Sequence, residues 1–203
     1  MRLWPLLLVA YPLTVHLSVI YGYPLPATLL LVTLLAISLM RAVVVRNRNS
    51  LIFLAIYILA TLAMFEFAGL HGTLFLPPVA MNAAVALFFA RSLMPGHTDL
   101  ITQIALQVRP DRAPHVLRYT RRVSWAWMWF AAAMALLSAG LAAYAPLEVW
   151  SLFTNFLNYL LLVIFFVVEL GLRRLVLRGE PQSGLRDTLR ALARIDYRQV
   201  FLT

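Results

Sequence analysis

The sequence has no cysteine, no lysine and only 8 acidic residues among 203. Without cysteine there can be no disulfide, no thiolate metal site and no cysteine nucleophile, and cysteine usage says nothing about compartment. Charged residues are scarce at 12%, whereas apolar ones reach 63% and mean hydropathy is +0.84. A soluble domain is nearer half apolar and a quarter charged. There is too little polar surface here to cover a globule in water, which excludes an ordinary soluble enzyme, a disordered chain and a coiled coil. What remains is an all-α integral membrane protein.

Every one of the 17 basic residues is arginine, and the formal net charge is +9. Codon bias in a GC-rich genome explains that choice most plainly; a preference for bidentate contacts to phosphate or carboxylate is the functional alternative. Six stretches are apolar and long enough to cross a bilayer, which takes roughly 20 residues each. They run over 3–21, 24–40, 51–68, 73–93, 123–145 and 149–172, the second being short. The first stretch carries Pro5 and Pro12 and lacks a small-x-small cleavage site, so it reads as a retained helix and not a secretion signal.

Arginine placement orients the spans. Arg2 precedes the first; Arg41, Arg46 and Arg48 lie between the second and third. Six arginines from Arg91 to Arg122 lie at or between the fourth and fifth, and seven from Arg173 onward follow the sixth. The connections near Gly22, Gly69–Gly72 and Pro146–Glu148 have none. The expectation is therefore six transmembrane helices with both termini cytoplasmic and very short outer loops. Residues 1–172 form the membrane domain, with a cytoplasmic connection at 94–122, and 173–203 form an arginine-rich tail.

The connection opens on the turn signal Pro95-Gly96. Thr98 is positioned to cap a short amphipathic helix, with Asp99 near its positive end. Pro110 and Pro114 then break the chain, and a new helix runs from about His115 into the fifth span. Arg118, Arg121 and Arg122 share a face of it, with Trp125 and Trp129 on a neighbouring line. An arginine and tryptophan belt at the headgroups explains this set; a site for a phosphorylated or carboxylated ligand is the sharper reading. In the tail, Arg186, Arg190, Arg194 and Arg198 repeat every four residues opposite Leu185, Leu189, Leu192 and Ile195. That is the pattern of an interfacial helix on anionic headgroups, or of a face that docks an acidic protein. No nucleic-acid motif accompanies the charge.

Polar groups at membrane depth are costly and so are candidate sites: His16, Glu66 with His71 just beyond, Asn82, Asn155, Asn158 and Glu169. Glu66 and His71 are five apart, a poor spacing for one helical face, and a partly solvated carboxylate accounts for Glu66. Glu169 stands one turn before Arg173, where a local ion pair accounts for it. Asn155 and Asn158 suit interhelical hydrogen bonding, and His16 a packed, hydrogen-bonded role. Prolines in the first and fourth spans can free carbonyls to line a cavity. The sequence contains no HExxH, GxSxG, phosphate loop or DxD cluster, and no convincing repeat, so no catalytic residue, metal or cofactor is expected.

The stretch from Phe88 to Phe130 carries Leu93, Pro95-Gly96, Leu100-Ile101-Thr102, Arg118–Val123 and Ala126-Trp127. In these residues it resembles a family of bacterial inner-membrane proteins that accompany fatty-acid or polyketide-type synthesis clusters, including those for aryl-polyene pigments. His97, Thr98, Asp99 and Ser124 depart from that pattern. The tail, through Arg173-Arg174 and Asp196-Tyr197-Arg198, is also similar. The likeness covers about half the chain and implies a setting, without catalytic residues to carry over. It suggests an accessory or anchor protein that gathers acyl-carrier proteins or acyl-processing enzymes at the membrane. The alternatives are a carrier for a lipid or lipid-linked product, with a homo-oligomer as one form, and a membrane transferase using Glu66 and His71.

Overall fold

A computed structural model describes residues 4–44, 46, 48–111 and 113–178. The described chain is all-helical, without strands. Seven α-helices follow one another: α1 Trp4–Ile20, α2 Leu25–Val44, α3 Arg48–Ser92, α4 Leu100–Val108, α5 Pro114–Tyr144, α6 Leu147–Leu152 and α7 Asn158–Val176. A π-helical turn, Phe153–Leu157, joins α6 to α7, giving one helical run from Leu147 to Val176. Four helical runs are long and apolar enough to cross a membrane: Leu25–Val44, Ser50–Ser92, Pro114–Tyr144 and Leu147–Val176. Large apolar side chains such as Phe67, Leu87, Leu136 and Val167 are more than half exposed. Apolar exposure on this scale fits lipid and not water as the surrounding medium.

The second span is longer than its sequence suggests. Hydropathy falls at Arg41, but α2 continues to Val44, 20 residues in all, with Arg41 exposed. Two spans expected separately, 51–68 and 73–93, appear as the single run α3, broken only at Ala68 and Gly69. Gly69 has φ 61° and ψ −154°, a region essentially closed to residues with a Cβ. In a straight helix residues 64 and 72 would stand about 12 Å apart. Instead, a Cβ placed on Gly72 would lie against the Met64 carbonyl, so the chain turns back sharply at the break.

The other turns follow from local chemistry. Gly22, at φ 69°, ends α1: its N–H donates to the Val19 carbonyl, and the Tyr23 N–H to that of Ser18. This paired closure needs a left-handed residue just past the helix. Pro95-Gly96, with Gly96 at φ 86° and the His97 N–H on the Met94 carbonyl, makes the turn after α3. Hydroxyls inside the helices donate back along their own helix, as Thr14 to Ala10, Thr33 to Leu29, Ser38 to Leu34 and Thr61 to Tyr57. In an apolar medium this satisfies them without a partner helix.

Contacts divide the chain into two compact units. The first is the part up to Ala80 with Leu136–Leu160; the second is Met81–Ala135 with the residues from Leu161 onward. Val15, Ala27, Leu74 and Trp150 form the core of the first, with Tyr11, Phe75 and Leu141 packed on it. The second has a core of Phe89, Leu100 and Ile104, flanked by Trp127 and Met128. Trp127 meets Phe165 edge-on at 4.8 Å and Phe130 stacks on Phe165 at 4.5 Å. Aromatic pairs in these arrangements contribute about 0.5–1.5 kcal/mol beyond their buried area.

Candidate functional site

In the second unit the amphipathic helix α4 is fastened to α5 by hydrogen bonds. Asp99, and not Thr98, caps α4: its Oδ1 accepts the Thr102 N–H at 3.1 Å. The same oxygen accepts the Ser124 hydroxyl at 2.5 Å, and Ser124 Oγ accepts the Ile101 N–H at 3.3 Å. Asp99 is preferred because it alone receives this bond from α5; the Thr98 carbonyl instead accepts from the Gln103 side chain. One turn on, the Thr102 and Thr120 hydroxyls meet at 2.6 Å. Ser92 accepts the Leu100 N–H, and Arg121 Nη2 donates to the Leu93 carbonyl at 3.2 Å. The sequence pattern around Leu93, Thr102 and Arg121 is therefore a structural corner.

The remaining charge of this unit points outward. Arg109, Arg118, Arg122, Arg174 and Arg178 are exposed, as is Arg121 beyond its bond to Leu93. Of the three acids among the unit's described residues, two are turned inward. Asp99 is buried, and so is Glu169, which Arg173 grips through Nε and Nη2, both at 2.9 Å. Tyr119 completes this group beside Glu169 and Arg173. Asp111 is the only exposed acid among the described residues of the unit. Two internal acids thus stabilise the scaffold, and the exposed charge among the unit's described residues is positive except at Asp111. Trp125 and Trp129 are exposed on α5, whereas Trp127 packs against the core.

The first unit gathers part of the expected polar set. His16 Nδ1 lies 3.0 Å from Ser151 Oγ, linking α1 to α6. Asn155 Nδ2 donates to the Ser151 carbonyl at 3.0 Å and to its hydroxyl at 3.2 Å. Thr154 donates to the Trp150 carbonyl, and the Asn158 N–H reaches back five residues to Phe153. In the wide π turn, side-chain donors thus cover carbonyls that regular helix geometry would leave to the backbone. Trp150 is 1% exposed, and its Nε1 and the Tyr11 hydroxyl are buried without a partner among the described residues.

The other sequence candidates do not join this group. Glu66 is exposed and His71 half-buried on opposite sides of the α3 break, with no bond between them. Asn82 and Asn158 are buried. No group of three potential ligands able to hold a metal occurs among the described residues. Arg186, Arg190, Arg194 and Arg198 lie outside the described residues. Ser151, Trp150 and Tyr11 were not legible as site residues; the spacing of Ser151 and Asn155 at i, i+4 was the available signal. Compared with known proteins, the chain matches no family model, no curated protein and no solved structure.

Proposed function

We propose that this protein is a six-span protein of the bacterial inner membrane that presents its arginines to the cytoplasm and there recruits acidic soluble partners. It would act as an accessory or anchor of a lipid- or polyene-type biosynthetic system, with acyl-carrier proteins as the partner class. The observation that carries the reading is the charge separation of the second unit: Asp99 and Glu169 are turned inward while Arg118, Arg122, Arg174 and Arg178 are exposed. Such a surface attracts an anionic protein over about a Debye length and raises its association rate. The one-sided distribution of all 17 arginines along the sequence supports the cytoplasmic placement.

The test uses the full chain in nanodiscs of zwitterionic, net-neutral phosphatidylcholine, with an acyl-carrier protein of its own host as the probe. Binding should weaken as salt rises, and about tenfold or more on the double change Arg118→Gln, Arg122→Gln. Arg121 is left in place because it holds the Leu93 carbonyl. Binding that neither salt nor the double change affects would overturn the reading. Strong binding to anionic vesicles with none to the carrier protein would assign the arginines to headgroups instead. The carrier reading, for a lipid or lipid-linked product, draws on the polar π-helical turn between α6 and α7.

A further inference from the structure

Two buried donors of the first unit have no acceptor. Trp150 Nε1 can only donate, the Tyr11 hydroxyl can donate or accept, and neither has a partner among the described residues. An orphaned buried donor loses its hydration without replacement, so a pair in one cluster calls for an explanation. Trp150 packs with Val15, Ala27 and Leu74, and Tyr11 packs on the same cluster. Two prolines change the backbone chemistry there. Pro77 and Pro78 lie inside α3 and carry no N–H, so the carbonyls of Thr73 and Leu74 lose their regular i+4 donors. Thr73 and Leu74 are themselves 4% and 0% exposed. The cluster thus combines side-chain donors without acceptors and backbone acceptors deprived of their usual donors.

On the four helices that build this cluster the charged residues of the unit, Arg41, Arg48, Glu66 and Glu148, are exposed, and His71 is half-buried one turn before Phe75. The complementary group is therefore uncharged and able both to accept and to donate, which describes a hydroxyl. Tyr11 lies nine residues from the end of α1, about 14 Å along the axis, while Val15, Leu74 and Trp150 lie three to five residues from a helix end or break, about 5–8 Å. In a bilayer that depth lies just below the headgroups. We propose that Tyr11, Trp150 and the Thr73–Leu74 carbonyls form a binding site for the hydroxyl of an uncharged amphiphile, its acyl chain lying along the apolar helices. Both donors are covered, so binding displaces a side chain. Phe75, half-buried and edge-on to Trp150 at 4.8 Å, is the candidate cover.

The experiment titrates monoolein into the full chain in an amine-oxide detergent, which has no hydroxyl of its own, and reads retained adducts by native mass spectrometry. Methyl oleate, which accepts but cannot donate, is the control. One monoolein per chain is expected, with methyl oleate held about three- to tenfold more weakly. Tyr11→Phe, which removes only the hydroxyl, should weaken monoolein by a similar factor, and so should Trp150→Phe, which removes its donor together with part of the ring. Equal retention of the two lipids, or unchanged monoolein binding in both variants, would overturn the proposal. So would variants that melt higher while the wild type retains no monoolein, the result expected if water is the partner. Should the variants fail to fold, the comparison of the two lipids on the wild type decides alone. Arg118 and Arg122 belong to the other unit, so this outcome is independent of the recruitment test.

Discussion

Replacing Asp99 by alanine is the most informative single change to the second unit. The carboxylate is 3% exposed and serves both as the cap of α4 and as the acceptor for Ser124. Loss of a helix cap costs about 1 kcal/mol. Loss of a hydrogen bond to a charged group costs about 1.5–3 kcal/mol. The two effects share one oxygen and the Ser124 hydroxyl can turn elsewhere, so the expected total is about 2–4 kcal/mol. For a chain of this length each kcal/mol moves the melting midpoint by about 2–4 °C, which gives a fall of about 5–15 °C in detergent. Asp99→Asn keeps an acceptor oxygen and loses only the charge, so its fall should be about a third as large. Combining Asp99→Ala with Ser124→Ala should show a coupling of about 1–2 kcal/mol, since both single changes break the same bond. Midpoints within 1 °C of wild type, or single effects that simply add, would refute the idea that this bond fastens α4 to α5.

Further outcomes follow from the same geometry. Gly69→Ala should destabilise by about 1–3 kcal/mol in thermal unfolding, because the break in α3 needs a conformation closed to alanine. Gly72→Ala should lower the midpoint as well, by forcing a methyl group against the Met64 carbonyl; a neutral result would mean that α3 does not turn back there. Arg173→Met should destabilise more than Glu169→Gln, about 3–5 kcal/mol, because it leaves a buried carboxylate without its partner; the reverse ranking in paired melts would contradict that account. Asn155→Leu should cost about 1–3 kcal/mol through the uncovered Ser151 carbonyl, and faster hydrogen exchange around 151–157 is the accompanying signature.

Apolar runs, the proline and glycine punctuation and the arginine asymmetry were readable directly, because each depends on neighbours in sequence. Gly22 and Pro95-Gly96 do what their local chemistry requires. Glu169 pairs with Arg173 one turn away, again a local rule. What escaped the sequence depends on distant partners. Thr98 and Asp99 are equally good caps in isolation, and Asp99 prevails through Ser124, 25 residues away. Hydropathy ended α2 at Arg41, although a long cationic side chain can reach out of an apolar helix without ending it. Ser151 gains its meaning from His16, 135 residues distant. Trp150 and Tyr11 read as ordinary apolar residues until the burial of their polar atoms is known.

Recruitment of a cytoplasmic partner requires the arginine-bearing connections to lie on one side of the membrane. The absence of cysteine makes that directly measurable, because each introduced thiol is unique. Tyr23→Cys and Tyr144→Cys, at exposed positions 72% and 92% accessible, mark the arginine-free turns, and Gln107→Cys marks the α4 connection. Intact cells are treated with a membrane-impermeant maleimide, then permeabilised and treated again. The predicted result is labelling at 23 and 144 in intact cells and at 107 only after permeabilisation. Labelling of 107 from outside, or of 23 and 144 only from within, would contradict the orientation and the recruitment proposal built on it.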